Sequence, residues 1–350
     1  MGSKLSTQHN MERNKKEDKA DLHLTENQCV IYNKEGHTAP HTVSRLSEDA
    51  QYSGHLKIQK SGDLHKSLAR CLKNPGYSHF IPVDTFTLKH LPEENNYEYD
   101  LYEYIKVTAD LTVRVDAKAT SQHRPEFWPE TTKPYPFYNM SDRGTMRTGS
   151  QRRNLRTGSG KVCGVIKYHG RVTHDEDYRR IQHLKCWCKK CEDSDSPSNV
   201  WWEFDVDTAT HVVFDDIEAS QTTLRLFYDR YNSLEVIVDK VSVRFVSIEL
   251  NWCALRCVTC EKNVGKKLMK MYKHFQNVNL KLWYKYGNSR QMFKFIVSHP
   301  YGCFKQVCVG QWKNKDKVNG RSSFIYTTCT CPLIDGADVM FLGLLKPYLA

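Results

Sequence analysis

The sequence predicts a mainly β fold, an all-β barrel or sandwich preceded by a short helical accessory region. Two observations carry this. From Lys161 onward, short runs rich in β-branched and aromatic residues alternate with polar turns: KVCGVIKYH, VWWEFDV, THVVFDD, TTLRLFYD, LEVIVDKVSVRFVSIEL, LKLWYKY, MFKFIVSH, FKQVCVGQW and SSFIYTTCT. Many short strands at this spacing favour a barrel or sandwich over a parallel, helix-alternating sheet. One helix interrupts them, where Val264, Leu268, Met271, Phe275 and Val278 form a stripe at helical spacing on a Lys-rich segment.

Three segments follow from composition. Residues 1–60 mix charge, His, Ser and Asn with little apolar clustering, so they bury too little to offset the entropy of ordering and read as a disordered arm. Residues 61–154 form the accessory region. Within it LHKSLARCL has helical spacing and is stopped by Asn74-Pro75-Gly76, YDLYEYIKV is a second helix that runs into the alternating strand LTVRV, and FWPETTKPYPFY is a proline-broken aromatic linker. Residues 155–350 carry the β runs.

The 350 residues, 39% of them apolar, suffice for one sizeable core and exclude a membrane channel. No run approaches the roughly 18 apolar residues of a membrane span, and the first residues lack the apolar core of a signal peptide, so the expected location is cytoplasmic. Thirteen cysteines, an odd number without a secretory signal, are expected as thiols. The net charge of +11 is concentrated: between Glu261 and Arg321 fourteen Lys or Arg face two acids, Glu261 and Asp316.

Three features point toward chemistry. The run Thr208-Ala209-Thr210-His211-Val212-Val213 places a histidine after a strand, Asn251-Trp252-Cys253 follows forty residues later, and Cys331-Pro332-Leu333-Ile334-Asp335-Gly336-Ala337 lies near the C-terminus. With the glycine-rich Thr157-Gly158-Ser159-Gly160 and the phrase RPEFWPETTKPYPFYNM upstream, this pattern resembles a trypsin-like serine peptidase domain of an expanded group of invertebrate proteins, over roughly residues 60–343.

The resemblance implies a chymotrypsin-type double β-barrel with His211 in the base slot, Asn251 in the slot of the orienting Asp, and Asp335 in the slot of the nucleophilic serine. Two of the three slots are degenerate. Asn in place of Asp is expected to hold the wrong imidazole tautomer, at a penalty on the order of 10⁴ in turnover. Asp239 or Glu249 could substitute, although neither sits in the motif. The oxyanion neighbours are Leu333, where the family has glycine, and Gly336. An Asp335 carboxylate would repel the developing oxyanion. Few residues follow Asp335, so the second barrel is expected to be truncated. A catalytically inactive homologue that binds a peptide or protein is the resulting expectation, with an active peptidase of unconventional site as its rival.

Other residues carry weaker signals. Cys186, Cys188 and Cys191, with His183 nearby, and the pair Cys257 and Cys260 have spacings compatible with zinc, and Cys329 and Cys331 could add to either set; buried free thiols are the simpler reading. No other cofactor is expected. Met1-Gly2-Ser3-Lys4-Leu5-Ser6 fits N-myristoylation at Gly2, a pattern short enough to arise by chance. One acyl chain binds membranes only marginally, so the basic segment 262–317 would have to supply a second attachment. The same segment could bind a nucleic-acid backbone, but Tyr272, Trp283, Tyr284 and Tyr286 read better as core residues beside a solvated lysine face.

Overall fold

The computed structural model describes residues 29–34, 79–92, 98–138, 156–170, 172–173, 185–286, 293–318, 321–326 and 336–342. The expected helix at 64–72, Gly2, His183, Cys329, Cys331, Leu333 and Asp335 lie outside these residues. The described chain is mainly β, with two antiparallel sheets and two substantial helices.

The first sheet runs in the order β8 (Val236–Val238), β7 (Thr222–Leu226), β3 (Thr112–Ala117), β4 (Arg156–His169), β6 (Val200–Thr208), β10 (Trp252–Thr259), β9 (Val241–Ser247), with β5 (Val172–Thr173) against β4. Its curl follows from the connections. Seven strands about 4.8 Å apart would hold the edges of a flat sheet roughly 29 Å from each other. Yet the two edge strands, β8 and β9, are joined by Asp239 and Lys240 alone, a link that spans about 11 Å at most. The sheet therefore bends back on itself as a half-barrel. Register shifts at Val162/Gly164 between β4 and β6, and at Ala254/Leu255 between β10 and β9, supply local bends.

The second sheet follows the open path β1 (Cys29–Lys34), β13 (Arg321–Tyr326), β12 (Gln306–Val318), β11 (Phe293–Ser298), β14 (Val339–Phe341), with β2 (Ile81–Pro82) also paired to β12. Among the described residues this sheet is an open path and does not by itself form the second barrel of a trypsin-like double barrel. Strand β1 lies within the arm expected to be disordered; CVIYNK opens on four apolar residues, enough for a short strand once β13 offers a partner.

Helix α1 (Tyr99–Leu111) and helix α4 (Lys262–Tyr286) lie along each other over both sheets. Tyr104 of α1 stacks on Phe275 of α4 at 5.8 Å, meets Phe295 of β11 edge-on at 5.6 Å, and donates its hydroxyl to Asn279 Oδ1 at 2.9 Å. The stripe expected on α4 faces this core, with Leu268, Phe275 and Val278 buried. LKLWYKY, read as a strand, is instead the last part of α4. No Gly or Pro interrupts the chain between Gly265 and Gly287, and Leu282 and Tyr286 continue the buried face at helical spacing, so the helix propagates through an alternating string.

Near its start α4 presses against Trp202 of β6. A Cβ on Gly265 would stand 2.1 Å from the indole, so only glycine admits this approach. Gly265→Ala is expected to destabilise the fold by about 1–3 kcal/mol through overpacking; an unchanged thermal midpoint would show that the helix is not seated on Trp202.

Candidate functional site

Strand β6 ends at Thr208 and the chain turns at once, Ala209 O accepting the N–H groups of Val212 and Val213 at 3.0 and 3.1 Å. His211 therefore sits in a tight turn, not in the strand read from THVVFDD. Val212 and Val213 are buried from this turn, which is why their apolarity imitates a strand. The chain then enters the one-turn helix α3 (Asp216–Ala219), whose N-terminus is capped by Asp215 accepting from Glu218 N at 3.1 Å.

Asn251 reaches His211 from the turn before β10, with a left-handed φ of 50° that Asn tolerates better than most residues. Its Oδ1 accepts from Thr210 Oγ1 at 2.9 Å and His211 N at 3.4 Å, and lies 2.9 Å from His211 Nδ1. Because the backbone N–H can only donate, the amide oxygen faces the histidine and Nδ1 carries the proton. Nε2 is then the basic nitrogen. The expected wrong tautomer is not what this geometry holds. What Asn251 lacks is the charge that would stabilise an imidazolium. Asp239 and Glu249 do not replace it: Asp239 pairs with Lys189 at 3.1 Å, and Glu249 accepts from Ser247 Oγ at 3.1 Å.

Gly336 comes to the same place from the far end of the chain. It has a φ of 77°, and a Cβ there would stand 2.3 Å from both Ser159 O and Thr208 Oγ1, so both conformation and space require glycine. Two residues on, Asp338 pairs with the buried Lys161 of β4 at 3.2 Å. Burial would lower the Lys161 ammonium, but the Asp338 charge outweighs it and raises the group above its ordinary value. The structure thus brings Asn251 to His211 and Gly336 to Thr208 and Ala209, just before the histidine, while Leu333 and Asp335 lie outside the described residues.

The aromatic linker closes over this cluster. Tyr135 donates to Thr210 Oγ1 at 2.9 Å, completing a hydrogen-bonded series from Tyr135 through Thr210 to Asn251 and His211. Trp128 meets Tyr135 at 4.5 Å and the His211 ring edge-on at 6.4 Å, and His211 is 1% exposed. Burial pushes the Tyr135 hydroxyl well up, which keeps it a donor.

One buried carboxylate fastens the linker. Glu218 accepts from Arg124 Nε and Nη2 at 2.7 Å each, from Arg156 Nη2 at 2.7 Å, and from the backbone of Ser121 and Phe214 at 2.7 and 2.9 Å. Arg124 donates further to Pro136 O and His211 O, and Arg156 to Val212 O. Burial alone would raise the Glu218 carboxyl, but the Arg124 hydrogen bonds and the charges of Arg156 and Arg124 hold it below its usual value. Burial lowers Arg156 to about 9, which leaves it protonated at neutral pH. Nothing in the sequence marked this cluster, since its members lie up to 97 residues apart and carry no motif.

The basic segment is not a uniform cationic face. Lys281 pairs with Asp100 at 2.6 Å and Lys285 with Glu98 at 2.7 Å across the two helices, Lys305 is buried against Asp229, and Lys294 is fully buried. Tyr284, expected in the core, is 75% exposed, whereas Tyr286 is buried. No helix among the described residues is long and apolar enough to cross a membrane.

The cysteines divide into two kinds. Sγ atoms of Cys186, Cys188, Cys191 and Cys260 all lie within 4.8 Å of one another. Cys257 belongs elsewhere: on β10 it points opposite to Val258 and is buried in the principal core with Cys253 and Leu255, whereas Val258 packs with the cysteine group. A four-cysteine set can hold a metal ion. No family model matches this chain, and no curated protein matches it.

Proposed function

We propose that the chain is a trypsin-like serine peptidase homologue that no longer cleaves peptides and acts as a binding or regulatory module for a peptide or protein. The observation that carries the reading is the contact of Asn251 with His211, beside a strand end against which Gly336 is packed from a third, distant stretch of sequence. His211 Nδ1 is held at 2.9 Å by an orienting side chain, as a peptidase base requires. Gly336 stands against Thr208 and Ala209, at the end of the strand that precedes His211. Yet the residue before Gly336 is Asp335, which has no hydroxyl to give up a proton, and Asn251 brings no charge.

Linker closure supports the same reading, because a peptide chain approaching His211 would have to displace Trp128 and Tyr135. A fluorophosphonate probe tests the assignment. The natural chain is expected to remain unlabelled, whereas Leu333→Gly with Asp335→Ser should be labelled at residue 335, and His211→Ala added to that pair should abolish it. Labelling of the natural chain that His211→Ala removes would overturn the reading.

A further inference from the structure

We propose that Cys186, Cys188, Cys191 and Cys260 form a tetrathiolate zinc site that fastens the 185–199 loop to the junction between β10 and α4. The site is independent of the peptidase reading. All four sulfurs lie within 4.8 Å of one another, and Cys188 Sγ is 3.4 Å from Cys260 Sγ. A tetrahedral zinc with bonds of about 2.3 Å places its sulfurs about 3.8 Å apart, so the set brackets the required size.

Local backbone geometry prepares the ligands. Cys188 immediately precedes the short helix α2 (Lys189–Glu192), and its carbonyl accepts from Cys191 N and Glu192 N at 2.8 and 2.9 Å. This turn brings the two sulfurs of a Cys-x-x-Cys pair to one side. Cys186 enters from the preceding residues, and Cys260 arrives at the end of β10, immediately before α4. Ser198 N donates to Cys191 Sγ at 3.3 Å, the kind of outer contact that orients a thiolate ligand.

Packing explains why this loop needs a staple. The buried residues around it are Tyr168, Cys186, Cys188, Cys191, Trp201 and Val258, so half of this small satellite core is cysteine. Cys253 and Cys257, by contrast, belong to the principal core with Leu255 of the same strand, as small hydrophobes. Binding would convert four thiols to thiolates, releasing four protons to solvent and leaving a centre of net charge −2. Lys189 and Lys190 flank it, tying the loop to Asp239 and Glu261 at the open end of the β9–β10 hairpin.

The test is metal analysis of the full chain purified under reducing conditions, with no metal added. One zinc per chain is expected. Cobalt exchange should give the visible bands of a tetrahedral tetrathiolate, and Cys260→His should shift them to a three-sulfur, one-nitrogen pattern while retaining the metal. Cys257→Ala should keep its full zinc, and the double variant Cys188→Ser with Cys260→Ser should lose at least tenfold in affinity. Should Cys188→Ser, Cys260→Ser fold poorly, the spectral shift in Cys260→His still decides the matter. A folded chain that takes up neither zinc nor cobalt, a Cys188–Cys260 disulfide found by mass spectrometry, or zinc undiminished in the double variant would each overturn the proposal.

Discussion

Glu218→Ala is expected to destabilise the protein by about 3–5 kcal/mol, because it strips the shared partner from two buried guanidinium groups. Arg124 and Arg156 would then hold charge in a site where Glu218 is fully buried and accepts five hydrogen bonds. In thermal unfolding this corresponds to a midpoint lower by on the order of 10 °C. Glu218→Gln should recover part of the loss by keeping the shape and two acceptor positions. The pH dependence has a definite sign. The folded Glu218 carboxyl is depressed, so its stabilisation is present above the unfolded value of about 4.3 and is lost as pH falls toward the folded value. The natural chain should therefore lose stability below about pH 4 more steeply than Glu218→Gln. Equal acid slopes would show that the carboxylate is not the hub described.

The second large effect is expected at the linker. Tyr135→Ala removes a ring that is 1% exposed, packs on Trp128 at 4.5 Å and Phe214 at 5.9 Å, and supplies the hydroxyl bonded to Thr210. Truncating a buried aromatic side chain typically costs about 3–5 kcal/mol. Opening of the linker should also expose His211, so carbethoxylation by diethyl pyrocarbonate, slow in the natural chain, should accelerate by at least tenfold at that residue. Tyr135→Phe separates the two contributions. It keeps the packing and leaves Thr210 Oγ1 without its donor, so it should lose only about 1 kcal/mol and leave His211 protected. Rapid modification of His211 in the natural chain would show that the linker does not cover it.

Local signals in the sequence announced what depends on neighbours in the chain. The helix-to-strand passage from α1 into β3 was legible because an apolar helical stripe gives way to the alternating LTVRV within one stretch. Helix α4 was legible for its stripe but not for its length, since LKLWYKY satisfies both periodicities and only the continuing buried face at Leu282 and Tyr286 decides between them. The His211 turn was misread for a related reason: apolar residues are buried from turns as well as from strands.

Features that depend on distant partners were hidden. Arg124 and Glu218 are 94 residues apart, and neither residue type signals burial by itself. The four-cysteine group was half legible: Cys186, Cys188 and Cys191 stood out by spacing, but the choice between Cys257 and Cys260 turns on which face of β10 each occupies, which the spacing alone does not give. His211 and Asn251 were identified only through motif resemblance, since an isolated histidine in an apolar run carries no mark of chemistry.

The most direct measurement is hydrolysis of a diverse peptide panel by the purified natural chain beside His211→Ala. The proposed function predicts no turnover above background in either protein, since the residue before Gly336 is Asp335 and not a serine. Cleavage by the natural chain that disappears in His211→Ala would contradict it.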